Sequence, residues 1–295
     1  MDNQLKTYLG TLKSHQKYAK NTYQAYANDL FQFFNFLESN LGRKPETTDF
    51  TPEVTKKFLE VEKKSGMKPS TLHRRRVSLK HFAQFLCDQG LLDYAVVETI
   101  SQIQENLWKE ISKQKVECLN PKEVERLLRT VSMANTPRSY RDLAILSILL
   151  ETGLSIGDLV SLNLSDVNIR EFRLRVGNND KTGSWVLIPT SIDKIRIYLK
   201  EGRPELTQSM GEEALFVSQM GGRISRQGVW QVLRIWGRQA KIRKKLSPRI
   251  LRHTAVKQML IDEKPFDEIQ NLLGHRNPLS TRSLIRRIKR ACSTL

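Results

Sequence analysis

Cysteine is scarce in this chain: Cys87, Cys118 and Cys292 stand far apart and form no C-x-x-C pair. A dispersed, odd-numbered set points to free thiols and excludes a disulfide framework or a cysteine-built zinc site. The five histidines do not stand beside cysteines or carboxylates at ligand spacing, so neither a metal nor another cofactor is expected. No apolar run approaches the ~18 residues that suggest a membrane span. Met1 to Lys20 is polar and charged where a secretory signal needs an apolar block, so the expected location is the cytosol. Negative charge is also in short supply, with 31 Asp+Glu against 49 Lys+Arg and a formal charge of +18. That surplus is the footprint of a polyanionic partner, because each phosphate neutralised releases condensed counterions. A basic surface that merely keeps the chain soluble is the plain alternative. A membrane surface fits less well, since the basic residues are spread over many segments and are not gathered on one amphipathic helix.

What is present reads as two domains, since 295 residues exceed one typical domain and 39% hydrophobic content can fill two cores. The fold class expected is mainly α: an N-terminal helical bundle over residues 1–100, a linker over 101–117, and an α+β domain with a small antiparallel sheet over 118–295. Leu5, Tyr8, Leu9 and Leu12 recur at helical spacing, as do Tyr23, Tyr26, Leu30, Phe33 and Leu37. Thr51-Pro52 opens a third helix through Val54, Phe58 and Val61. A fourth begins near Ser70, buries Leu72, Leu79, Phe82 and Leu86, and is expected to carry Arg74, Arg75, Arg76 and Lys80 on its exposed side as phosphate contacts. Asn120-Pro121-Lys122-Glu123 is a capping box that starts the second domain. Phe172–Val176 and Trp185–Ile188 read as a hairpin, followed by helices around Ile192–Leu199, Arg226–Ala240, Ile250–Ile261 and Phe266–Leu273.

Three segments of the second half carry more specific information. Ala144 to Leu159 is an apolar helix running into Thr152-Gly153-Leu154-Ser155-Ile156-Gly157-Asp158-Leu159; the others are Ser247-Pro248-Arg249-Ile250-Leu251-Arg252-His253-Thr254-Ala255 and Leu272-Leu273-Gly274-His275 through Thr281. In this order and at these distances they resemble the tyrosine recombinase (phage integrase) family of Xer-like site-specific recombinases. Asn21-Thr22-Tyr23 and Ser70 to Arg76 are similar to that family's N-terminal, SAM-like core-binding domain, so the resemblance covers nearly the whole chain. It implies double-stranded DNA as partner, wrapped by two domains, and chemistry without metal or nucleotide. A tyrosine oxygen attacks a phosphodiester, two arginines neutralise its oxygens, and a lysine protonates the leaving oxygen.

Carried over position by position, the resemblance retains Lys181 (in the hairpin turn, with Asn178 as the rival position), Arg252 and His275. Lys181, Arg249 and Arg252 would join the DNA contacts. His253 is expected to pack or hydrogen-bond, and Asp158 to brace the site. Three positions depart from the family pattern: Ser155 stands for the first arginine, Arg249 for a histidine, and Leu284 for the tyrosine. Serine can bond a phosphate oxygen but brings no charge, guanidinium does not accept a proton near neutrality, and leucine has no nucleophilic atom. No tyrosine follows Tyr198. Ser280, Thr281, Ser283 and Ser293 have hydroxyls but no evident base. A DNA-binding relative that has lost strand cleavage is therefore the leading expectation. Its rivals are an active recombinase using an unusual nucleophile or a partner's tyrosine, and a non-enzymatic docking module. At the C-terminus, Leu284, Ile285 and Ile288 form an apolar stripe rimmed by Arg282, Arg286, Arg287, Lys289 and Arg290. That helix either folds onto its own domain or, as the resemblance implies, docks on a neighbouring subunit in a homo- or hetero-oligomer.

Overall fold

The computed structural model describes residues 1–14, 20–103, 116–176, 183–207, 211–275 and 277–291. Residues 104–115 of the expected linker, and the hairpin turn at 177–182 that carries Lys181, lie outside them, as does Ser293. The chain divides into two compact units, Met1–Gln114 and Lys115–Leu295. Among the described residues no helix is long and apolar enough to cross a membrane.

Among the described residues the first unit is built from α1 (Asp2–Ser14), α2 (Lys20–Leu41), α3 (Pro52–Lys64), α4 (Pro69–Asp88) and α5 (Tyr94–Gln102). The Thr51 hydroxyl accepts the Val54 N–H at 3.3 Å to start α3, and Pro52 fills a first-turn position whose N–H would have no helical partner. The stripes of α1 and α2 meet in one core with Phe58 and Phe82, and Phe33 packs edge-on against Phe50 at 5.2 Å between ring centroids. Helix α3 buries Phe58 and Leu59, whereas Val61 is exposed. Helix α5 is capped by Asp93, whose carboxylate accepts the Ala95 N–H at 2.8 Å.

The arginine run of α4 corrects the expectation of an exposed cationic face. Leu72, Arg75, Leu79 and Phe82 share one helical face, so Arg75 is carried into the core at 8% exposure. There it pairs with Glu62 and, at 3.6 Å, with Asp29, and lies 5.7 Å from the Phe58 ring centroid. Arg74 donates to Asp29 at 2.5 Å and Arg76 to the Ser101 carbonyl. Asp29 is 2% exposed; burial pushes its carboxyl upward, while the Ser78 hydroxyl and the two arginines pull it down. Of the four basic residues, Lys80 is the exposed one.

The second unit is built around α7 (Pro137–Thr152), which is buried along Ala144–Leu149 and packed by α6 (Pro121–Met133). Asn120 and Glu123 exchange the reciprocal bonds of the capping box, each 2.8 Å. Asp142 of α7 accepts the Trp236 indole N–H at 2.8 Å and the Arg141 Nε at 2.9 Å, so its buried charge is matched. After the short α8 (Ile156–Ser161) come β1 (Val167–Asn168), β2 (Arg173–Val176) and β3 (Ser184–Leu187), an antiparallel sheet in that order with Leu174 between Val167 and Val186. Phe172 has φ 56°, outside strand geometry, which is why β2 starts at Arg173. Helix α9 (Ile192–Ile197) runs through a π-helical turn into α10 (Arg203–Leu206), followed by α11 (Arg226–Gln239), α12 (Pro248–Ile261), α13 (Phe266–Leu272) and α14 (Pro278–Ala291).

Candidate active site

The C-terminus of α7 fixes one corner of the site. Gly153 ends the helix at φ +65°, and a Cβ there would meet Leu273 at 2.9 Å and Ala255 at 3.3 Å, with the Arg252 stem at 3.7 Å. Only glycine satisfies both the left-handed turn and this approach, which brings α7 against α12 and the end of α13. Glu151 accepts the backbone N–H groups of Thr190 and Ser191 at 2.9 and 2.8 Å, anchoring the chain that returns from the sheet.

Ser155 caps α8. Its hydroxyl accepts the Asp158 N–H at 3.1 Å and donates to the Asp158 carboxylate at 2.6 Å. In this arrangement the single Ser155 proton is given to Asp158, and a phosphate oxygen needs donors. The Asp158 charge also reaches Arg252 and His275.

Ser247 caps α12, which presents Arg249, Arg252 and His253. Arg252 is half-buried; burial pulls its guanidinium below the ordinary value and Asp158 opposes the shift. Arginine nonetheless stays protonated. Its Nη2 donates to His275 Nε2 at 2.5 Å and to the Leu273 carbonyl at 3.4 Å. Since guanidinium has no acceptor, Nε2 carries the ring's lone pair and Nδ1–H is assigned to the 2.9 Å contact with Thr281 Oγ1. Burial, then the nearby Arg252 charge, pull His275 down to about 4. Thr281 is fully buried, so it anchors His275 and is no nucleophile for DNA. His253 is buried, with Nδ1 3.3 Å from the Glu117 carbonyl, and is likewise drawn down to about 4, chiefly by burial.

Arg249, Arg252, His253 and His275 line an open cleft of about 510 Å³ together with Ser280, Ser283, Leu284 and Arg287. Among the described residues no carboxylate lines it, so the cleft attracts anions. Leu284, which the sequence resemblance sets at the tyrosine position, is half-buried against the core while still facing the cleft. Arg287 has no counterpart among the site residues read from the three segments; burial and the proximity of Arg249 press its pKa down, the signature of two like charges brought together. Tyr198, the last tyrosine of the sequence, is fully buried and its hydroxyl accepts the Val217 N–H at 3.2 Å. Among the described residues no cluster of His, Cys, Asp or Glu is placed to hold a metal ion.

Residues 117–287 match the Phage integrase family, and residues 5–90 match the Phage integrase, N-terminal SAM-like domain. The tyrosine recombinase XerD of Listeria innocua is 30% identical over 281 residues, covering 93% of this chain and 91% of that protein. The tyrosine recombinase XerC of Roseiflexus castenholzii is 29% identical over 278 residues, covering 93% and 86%. The fold is similar to that of the XerH site-specific recombinase solved in a post-cleavage complex on its palindromic difH substrate, with a TM-score of 0.72 and 18% identity over 92% of this chain and 79% of that one.

Proposed function

The chain belongs to the phage integrase family, and on that premise we propose that it is a DNA-binding member that grips backbone phosphates without cutting them. The observation that carries this reading is the cleft itself, where three arginines and two histidines converge beside Leu284, the residue that the resemblance sets at the nucleophile's position. Phosphate attraction survives such a change, because it needs only charge and donors. Covalent exchange does not survive it, because it needs an oxygen nucleophile and a means of moving its proton. The protein then acts as an accessory or competing subunit in recombination, in an oligomer assembled on double-stranded DNA. DNA-bound and multimeric relatives support that part of the reading, among them a lambda integrase dimer on a core site and a tetramer on a Holliday junction.

A second reading, catalysis with a tyrosine supplied by an intact partner, is favoured by the names of the relatives and by the retained Arg252 and His275. Mixing this chain with an intact relative, and asking whether cleavage occurs at the half-site this chain occupies, separates the two. DNA binding itself is tested by affinity for a mixed-sequence duplex across a salt series. Each phosphate engaged contributes a slope of roughly −0.9 in log K against log salt, so several contacts predict a steep fall. An affinity that stays flat would contradict the reading and leave the docking module.

A further inference from the structure

Ser155 also borders a second cleft, of about 620 Å³, lined among others by Gly157, Asp158, Arg175, Arg223 and Arg226. Two of these arginines are committed within the protein. Arg175 pairs with Asp166, and Arg223 donates to the carbonyls of Val160 and Leu162 at 2.8 and 3.0 Å and to Asn163 Oδ1 at 2.5 Å. Arg226 is exposed, as Arg223 is, but differs from both in making no hydrogen bond or ion pair among the described residues. Its guanidinium lies over the backbone of Gly157: a Cβ on that glycine would stand 2.8 Å from Arg226 Nη2 and 3.4 Å from Ser155 Oγ. The arginine head and the serine hydroxyl are thus neighbours of one point on α8, and the missing side chain at Gly157 leaves room for that head.

An uncommitted guanidinium in a concave, partly cationic site is suited to bidentate recognition of a phosphate. Ser155 supplies neither charge nor a free proton, since its hydroxyl is bonded to Asp158. Arg226 also begins the fourteen-residue helix α11, whose N-terminal dipole adds to its positive field. We propose that Arg226, reaching over Gly157, delivers the positive charge that position 155 lacks, so that the cleft beside Ser155 binds a phosphodiester of the DNA backbone. This rests on the reading that the chain binds DNA, and it assigns to a residue of α11 a role that the sequence motifs place at the end of α7.

The test measures affinity of the full chain for a mixed-sequence DNA duplex over a range of salt. Arg226→Ala should weaken binding on the order of tenfold at low salt and flatten the log–log salt slope by about 1. Gly157→Ala should do nearly the same without altering charge, because the new methyl displaces a flexible side-chain end and leaves the helix backbone in place. Ser155→Arg should raise affinity more in the Arg226→Ala background than in the unmodified chain, since the two arginines address one phosphate. Lys200→Ala, an exposed lysine beside Glu201, is the control for bulk charge and should bind as the unmodified chain does. Equal affinity and slope for Arg226→Ala and the unmodified chain would overturn the proposal, as would additive effects of positions 155 and 226, or an equal loss in the Lys200 variant. Absence of binding by the unmodified chain would instead fell the DNA reading, and this assignment with it.

Discussion

A neutral imidazole is required between Arg252 and Thr281, because only the unprotonated Nε2 of His275 can accept the guanidinium N–H at 2.5 Å. His275 and His253 both stand at about 4, below their ordinary 6.5. With the folded value depressed, the unfolded chain takes up protons first as pH falls, so stability is full above 6.5 and is lost on the way down to about 4. Asp29 and Asp142, raised by burial, bind protons more readily when folded and temper the loss at the acid end. Urea midpoints should therefore fall across this window, with a shallower fall in His275→Asn; a flat profile would contradict the buried, neutral assignment. The same pair bears on catalysis, since His275 has both ring nitrogens engaged and has no free lone pair with which to act as a base. Supplying a nucleophile alone should thus recover little. Leu284→Tyr combined with Ser155→Arg and Arg249→His should cleave a nicked duplex at least about a hundredfold faster than Leu284→Tyr, because charge stabilisation of this kind acts as a unit with the nucleophile. Equal rates for the single and triple variants would show that the tyrosine is the only loss.

Helix α14 shows how an element can be legible in pattern and yet open in destination. Its stripe of Leu284, Ile285 and Ile288 was plain from spacing, and it lies on the core of its own unit, with Ile288 and Thr281 fully buried. Any contribution of this segment to assembly then falls to its exposed cationic face, Arg282, Arg286, Lys289 and Arg290. Ile288→Ala should cost about 2–5 kcal/mol of stability in urea unfolding. A change within about 0.5 kcal/mol would mean that the stripe is not core. Other elements were readable because their signals are local: Thr51 and Asn120 cap helices through residues three positions away. The burial of Arg75 depends on Asp29 and Glu62, which lie on other helices, so no local pattern names its partner, although its place between Leu72 and Leu79 puts it on the apolar face. The segments that align Arg252 and His275 were legible as motifs. That the two side chains touch, and that Thr281 is the ring's other partner, depends on how α12, α13 and α14 pack, which spacing alone does not specify.

Over the whole molecule, internal ion pairs such as Arg74 with Asp29 and Lys244 with Glu123 remove one cation with each anion. The surplus of +18 is therefore undiminished by folding, and the cleft of Arg249, Arg252 and Arg287 concentrates part of it, with no carboxylate among the described residues that line it. On the proposed reading, that field draws DNA in and the leucine at its edge leaves the bound phosphodiester intact. The central claim, binding without a covalent step, is met most directly by incubating the unmodified full-length chain with end-labelled nicked duplexes designed to trap a protein–DNA link. Each sample is run on both a native and a denaturing gel. The account predicts a shifted complex on the native gel and only free DNA after denaturation. A labelled adduct that survives denaturation would contradict it and make this chain an active recombinase with a nucleophile other than tyrosine at position 284.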